Sequence, residues 1–168
     1  TLTGGIKRSF GHNVLSEDSA MKVIRELIGN RTPYSVTPDM TVQKVVAYLC
    51  ERKIGAVAVC ENRKVVGVFS ERDLMHRIVL PGLDPNRTPI SKVMTEGVVH
   101  VHIDERHSTA RNLMLGQNFR HLVVLDDEGD FKGFVSIREL MEVDLQESRE
   151  LVHKLNDNYY EEQFKPGQ

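Results

Sequence analysis

The sequence predicts an α/β (α+β) fold: two pseudo-symmetric β-α-β-β-α units packed through their sheets, with helices at the N-terminal and C-terminal ends. Three observations carry this. The phrase Gly67-Val68-Phe69-Ser70-Glu71-Arg72-Asp73-Leu74-Met75 returns 66 residues later as Gly133-Phe134-Val135-Ser136-Ile137-Arg138-Glu139-Leu140-Met141, with five of nine positions identical. The hydrophobic patterning around each copy runs in the same order, the mark of a duplicated supersecondary unit. A single unit of ~50 residues with three short strands is too small to bury a sufficient core, so two must pack together.

In the first unit, Tyr34 to Asp39 reads as a short strand ended by a turn. Thr41 stands where a helix cap belongs, before Val42, Val45, Val46 and Leu49 at i, i+3, i+4, i+7. Ile54 to Cys60 is rich in β-branched residues and bounded by polar Glu61 to Lys64, which predicts a buried strand and a hairpin. Val65 to Phe69 is its partner, and a second helix runs from Ser70 to about Leu80, stopped by Pro81-Gly82. The second unit repeats this with a strand at Val98–Ile103, a helix at Ser108–Gly116, a hairpin of His121–Leu125 and Phe131–Val135, and a helix from Ser136 to about Val143. The offset is 65 residues before the hairpin and 66 after it, so the second turn is one residue longer. The expected division is a flexible N-terminus at 1–15, the first unit with a lead-in helix at 16–83, a linker and second unit at 84–143, and a C-terminal helix and tail at 144–168. Leu145, Leu151, Val152, Leu155 and Tyr159 make that last segment amphipathic, suited to docking on the body or on a second chain.

Composition narrows the function. A net charge of −2 gives no electrostatic case for nucleic acid, and no apolar run approaches the ~20 residues that span a bilayer. Two cysteines, Cys50 and Cys60, are too few for a disulfide scaffold; they read as buried free thiols in a reducing, cytoplasmic setting.

The repeated phrase has two readings. Ser-x-x-Glu before an apolar run is a capping box, which Ser136 and Glu139 fit and Ser70 and Asp73 nearly fit. The same residues suit a nucleotide. A helix N-terminus favours phosphate, Arg72 or Arg138 adds a matching charge, and a carboxylate one turn in can accept both hydroxyls of a ribose. Gly67 and Gly133 leave room where backbone must pass closely.

With Val36-x-Pro38-Asp39-x-Thr41-Val42, Ile54-Gly55-Ala56-Val57-Ala58-Val59 and the two Gly-x-x-Ser-x-x-Asp/Glu phrases, residues 21 to 143 resemble a tandem pair of cystathionine β-synthase (CBS) domains, a Bateman module. The resemblance implies adenosine-type ligands in clefts between the copies. It places Ser70 with Asp73, and Ser136 with Glu139, at ribose or phosphate, and Lys53 and Arg120 at phosphate. It places adenine against Gly55-Ala56-Val57 and His121-Leu122-Val123, with the lead-in segments around Asn30 to Thr32 and Val93 to Thr95 (including Met94 and Thr95) walling the opposite copy's cleft. Glu139 departs from the more usual Asp, so the Ser70/Asp73 copy is expected to offer the better site.

The function expected is therefore a regulatory module that binds an adenine nucleotide (AMP, ADP, ATP or NAD) and signals occupancy through the conformation of a homodimer. S-adenosylmethionine is disfavoured by Lys53, Arg72, Arg120 and Arg138. No metal, nucleic-acid or membrane partner is expected, and no catalytic residues: the chain lacks a Walker loop, Gly-x-Gly-x-x-Gly and a metalloprotease helix. The regulated protein would be another chain. Two alternatives are a ligand-free structural or interaction module whose motifs only cap helices, and a metal-responsive protein using the histidine cluster His100, His102, His107 and His121.

Overall fold

A computed structural model describes residues 22–163, so the expectation for residues 1–15 lies outside the described residues. Helix α1 (Ile24–Ile28) leads into β1 (Ser35–Val36), α2 (Val42–Arg52), β2 (Ala56–Glu61), β3 (Lys64–Ser70) and α3 (Glu71–Leu74), which continues as a π-turn over Met75–Val79. A 3₁₀ turn (Ile90–Lys92) then precedes β4 (His100–His102), α4 (His107–Gln117), β5 (His121–Leu125), β6 (Phe131–Ser136) and α5 (Ile137–Gln163). Each copy forms a three-stranded sheet, β1-β2-β3 and β4-β5-β6, with a parallel first pair and an antiparallel second pair.

The repeat extends to local irregularities. Both hairpins carry a register shift, between Val59 and Cys60 and between Val124 and Leu125. Both first helices end in a non-glycine residue in the left-handed region, Lys53 at φ 54° and Asn118 at φ 56°. The first hairpin turns on Asn62 and Arg63, both at positive φ, as a two-residue type I′ turn demands. The longer second turn uses Gly129 at φ 72°, with Gly129 N–H donating to Asp126 O over 2.8 Å.

The lead-ins are exchanged between copies. Ile24 and Ile28 of α1 join the core of the second copy with Val101, Ile103, Met114 and Leu122, while Ile90 and Val93 join the core of the first with Val42, Val57 and Phe69. A third cluster, Ala58, Cys60, Val123 and Phe131, lies where the sheets meet. The exchange also caps the helices. Thr41 makes no side-chain cap; the α2 amides of Val42 and Gln43 donate instead to the linker carbonyls of Thr88 and Pro85, both over 2.9 Å. At the matching place His107 N–H donates to Lys22 O over 3.1 Å.

Two further expectations change. The helix after Ser136 does not stop near Val143 but continues to Gln163 as one element, because no proline or glycine interrupts it. Cys60 is buried as expected, but Cys50 is exposed, since its position on α2 falls one residue beyond the apolar stripe at Leu49.

Candidate nucleotide site

Each repeated phrase brings a strand end, a serine and an acid to one corner of the molecule, and the two corners differ. At the first, Asp73 Oδ2 accepts from Ser70 N (2.9 Å) and Ser70 Oγ (2.7 Å), and Ser70 Oγ accepts from Asp73 N over 3.4 Å, a complete capping box. Asp73 Oδ1 accepts from Thr95 Oγ1 at 3.2 Å and faces Arg77 Nε at 3.4 Å. The lead-in is zipped to β3 by Val68 N–H to Thr95 O (2.9 Å) and Thr95 N–H to Val68 O (2.8 Å), while Arg77 donates to the carbonyls of Val93 and Met94. Met94 fills the space over Gly67.

At the second corner the same box forms: Glu139 Oε2 accepts from Ser136 N (2.9 Å) and Ser136 Oγ (2.8 Å), and Ser136 Oγ accepts from Glu139 N at 3.2 Å. Here the outer oxygen, Oε1, accepts from Arg31 of the lead-in. Burial pushes the Glu139 carboxyl up, but Arg31 together with the Ser136 amide and hydroxyl outweighs it and holds the group below its ordinary range. The residue facing Gly133 is Ile28, which sits at ordinary contact distance, and Gly29 stands where the first corner has Thr95. Without that plug a cleft of about 560 Å³ opens, within the usual range for small-molecule sites.

The cleft joins both copies. One wall is the lead-in from Ile28 through Arg31 to Tyr34; another is Lys53, Ile54, Gly55 and Ala56; the third is His121 with Lys132, Gly133 and Phe134. Tyr34 is braced by an edge contact with Tyr48 (ring centroids 6.3 Å apart) and by Arg52 over its ring at 5.2 Å. Lys132 is the extra residue of the β6 bulge, a device that re-aims a side chain, and its ammonium lies 2.6 Å from Asp126.

Of the residues expected from sequence, Lys53, Gly55, Ala56 and His121 line this cleft, with Ser136 and Glu139 placed behind Arg31. Ser70, Asp73, Met94 and Thr95 gather at the first corner instead. Val57, Leu122 and Val123 are wholly buried core, so in those stretches only the strand starts reach the cleft. Arg72 and Arg138 are exposed, the latter paired along its own helix with Glu142 at 3.2 Å. Lys53 and Arg120 are not counterparts: Arg120 matches Gly55, since their carbonyls accept equivalent amides, Ile137 N and Glu71 N, each over 3.0 Å. Tyr34, Lys132 and Phe134 were not anticipated, although alternation back from Ser136 along β6 points to both Phe134 and Lys132, whose burial alternates unbroken through the bulge.

The sequence matches the CBS domain over residues 20–80 and again over 90–146. This chain belongs to the CBS domain family. It carries a tandem CBS pair, a Bateman module. The pair is 32% identical over 108 residues to an uncharacterised 17.7 kDa protein of Acidianus ambivalens, covering 64% of each chain. It is 30% identical over 125 residues to the mitochondrial CBS domain-containing protein CBSX3 of Arabidopsis thaliana, covering 71% of this chain and 60% of that one. These matches span less than two thirds of the relatives' own lengths. Among solved structures, the CBS pair resembles a Pyrobaculum aerophilum CBS domain protein complexed with AMP (27% identity, TM-score 0.64, 70% of this chain and 89% of that). It also resembles the cytosolic domain of the Mg²⁺ channel MgtE in complex with ATP (28% identity, TM-score 0.57, 66% of this chain and 44% of that). Among the described residues no helix is long and apolar enough to cross a membrane.

Proposed function

We propose that this CBS pair is a regulatory rather than a catalytic module, binding a phosphorylated adenine nucleotide (AMP, ADP, ATP or NAD) in the cleft beside Glu139. The observation that carries the reading is the union, in one cleft between the copies, of Arg31, Lys53, Lys132 and His121 with the apolar surface of Ile28, Ile54 and Ala56. Cations of this kind suit phosphate, and an aliphatic surface suits a purine face. Related structures in complex with AMP and ATP support the ligand class.

The pairing of Arg31 with Glu139 supplies a mechanism. A ribose diol donates to Glu139 in place of the guanidinium, and Arg31, released, turns to the phosphate. A ligand held by the lead-in, the first copy and the second copy at once favours the packing in which all three sets of contacts form. Transmission would run through a symmetric dimer. Met75 and Val79 on the first copy, and Met141 and Leu145 at the equivalent places on the second, are all more than half exposed, a self-complementary apolar face.

Calorimetric titration with AMP, ATP and NAD tests the proposal. Binding that weakens about tenfold in Arg31→Ala, equivalent to about 1.4 kcal/mol, is the expected result. No heat with any of the three at millimolar concentration would sink it. The completeness of both capping boxes favours one rival, a structural module whose motifs only cap helices; that rival predicts loss of stability in the serine variants with no change in binding.

A further inference from the structure

Away from the cleft, α4 and α5 share a polar cluster that the repeat does not require. His107, Arg111 and Asp144 occupy the positions that in the first copy hold Val42, Val46 and Ile78, an apolar group in that copy's core. Burying the His107 imidazole where the first copy has a valine is a cost that packing alone does not explain.

The geometry defines what the cluster holds. His107 is 1% exposed, and its Nδ1 lies 2.8 Å from the carbonyl oxygen of Lys22, so Nδ1 carries the hydrogen and Nε2 points away from the lead-in. Nε2 faces Asp144 Oδ1 at 3.2 Å and Glu147 Oε2 at 3.4 Å, from two residues one turn apart on α5. The second Glu147 oxygen, Oε1, is buried and without a hydrogen-bond partner. A lone pair on Nε2 against two carboxylates is repulsive, so a cation belongs among them: a proton on Nε2 or a metal ion. Ligand atoms about 2.0–2.2 Å from a tetrahedral zinc lie about 3.3–3.6 Å from one another, close to the two Nε2–carboxylate spacings. The outward carboxylate oxygen of Asp144 is held by Arg111, and the imidazole is oriented by a backbone carbonyl, as supporting groups orient metal ligands.

We infer that His107 Nε2, Asp144 and Glu147 form a binding site for a first-row divalent metal of the zinc class, with Glu147 Oε1 available to chelate. Arg111 offsets one of the two carboxylate charges. The metal would tie α5 to α4 beside the Lys22 carbonyl that caps α4. The exposed group His102, Asp104 and Asp127 is a poorer candidate, because His102 Nδ1 already accepts from the Asp104 amide at 3.2 Å.

The test is calorimetry of the chelator-stripped full chain with ZnCl₂ at neutral pH. The expected result is one equivalent bound and a melting temperature raised by the metal. Glu147→Gln, which leaves the His107–Asp144 contact in place, should weaken binding by about tenfold or more. His107→Val, which restores the residue type of the first copy, should abolish it, and His102→Ala should leave it unchanged. Absence of binding at millimolar zinc, wild-type affinity in both Glu147→Gln and His107→Val, or loss of binding in His102→Ala would each overturn the inference and leave the cluster a polar contact between α4 and α5. Nucleotide is absent throughout, so the outcome is independent of the cleft's ligand.

Discussion

Met94 lies over Gly67 so closely that a β-carbon there would stand 2.5 Å from its Sδ and 2.8 Å from its Cγ, with Thr95 O at 3.1 Å. This contact fills the space over one of two glycines that the repeat makes equivalent. Gly67→Ala is expected to destabilise the fold by ~1–3 kcal/mol through overpacking. Met94→Ala should relieve part of that cost, a coupling that a urea-denaturation double-mutant cycle reads directly. Gly133→Ala should also destabilise, but through its φ of 142° rather than a collision, so Met94→Ala should not rescue it.

Arg31 and Glu139 make stability depend on pH in a stated direction. The Glu139 carboxyl is depressed below its ordinary 4.5 in the fold, so its contribution is present above that value and is lost as pH falls through the folded pKa. Asp126, hydrogen-bonded by Lys132, sits at about 2 against an ordinary 3.8, and its contribution fades between those values on acidification. Glu139→Gln and Asp126→Asn should each flatten the acid limb of melting temperature against pH. Arg31→Ala should flatten the Glu139 part only.

Asp130 latches the two hairpins. Its buried carboxylate meets Arg63 Nε and Lys64 Nζ, each at 2.9 Å, and the adjacent Phe131 N–H donates to Arg63 O over 3.0 Å. Asp130→Ala should cost ~1–3 kcal/mol in chemical denaturation, whereas Arg63→Ala or Lys64→Ala alone should cost ~0–1 kcal/mol, since both cations are largely exposed and one remains.

Ser70→Ala and Ser136→Ala remove equivalent caps and should each cost ~0.5–2 kcal/mol. Only Ser136→Ala is expected to weaken nucleotide binding, because Ser136 holds Glu139, the partner of the cleft residue Arg31. Wild-type binding in Ser136→Ala would mean that Ser136 only caps its helix.

Much of this molecule was legible beforehand because local chemistry and tertiary demand agree. The β-branched runs at Ile54–Cys60 and His121–Leu125 became strands, and the apolar spacing of Val42, Val45 and Leu49 became the buried face of α2. Capping was read less well. Thr41 has the right side chain, yet carbonyls from a linker more than forty residues away satisfy the helix, a contact no local window contains. The cleft was legible in part, since Lys53 and His121 stand at strand and helix ends that the repeat marks and Lys132 shares the alternating face of Ser136, while Tyr34 depends on packing against Tyr48.

By itself the sequence determined the duplicated unit, its order of elements and the two acids placed after two serines, because periodicity and spacing are properties of the chain. The tertiary structure decided what packs against each copy's glycine and acid. Met94 and Thr95 against Gly67 fill one corner, and Ile28 and Gly29, lacking that side-chain volume and that hydroxyl, leave the other to Arg31 and solvent. The difference lies in residues of one copy's lead-in seated on the opposite copy's sheet, and such pairings exist only once the lead-ins have exchanged.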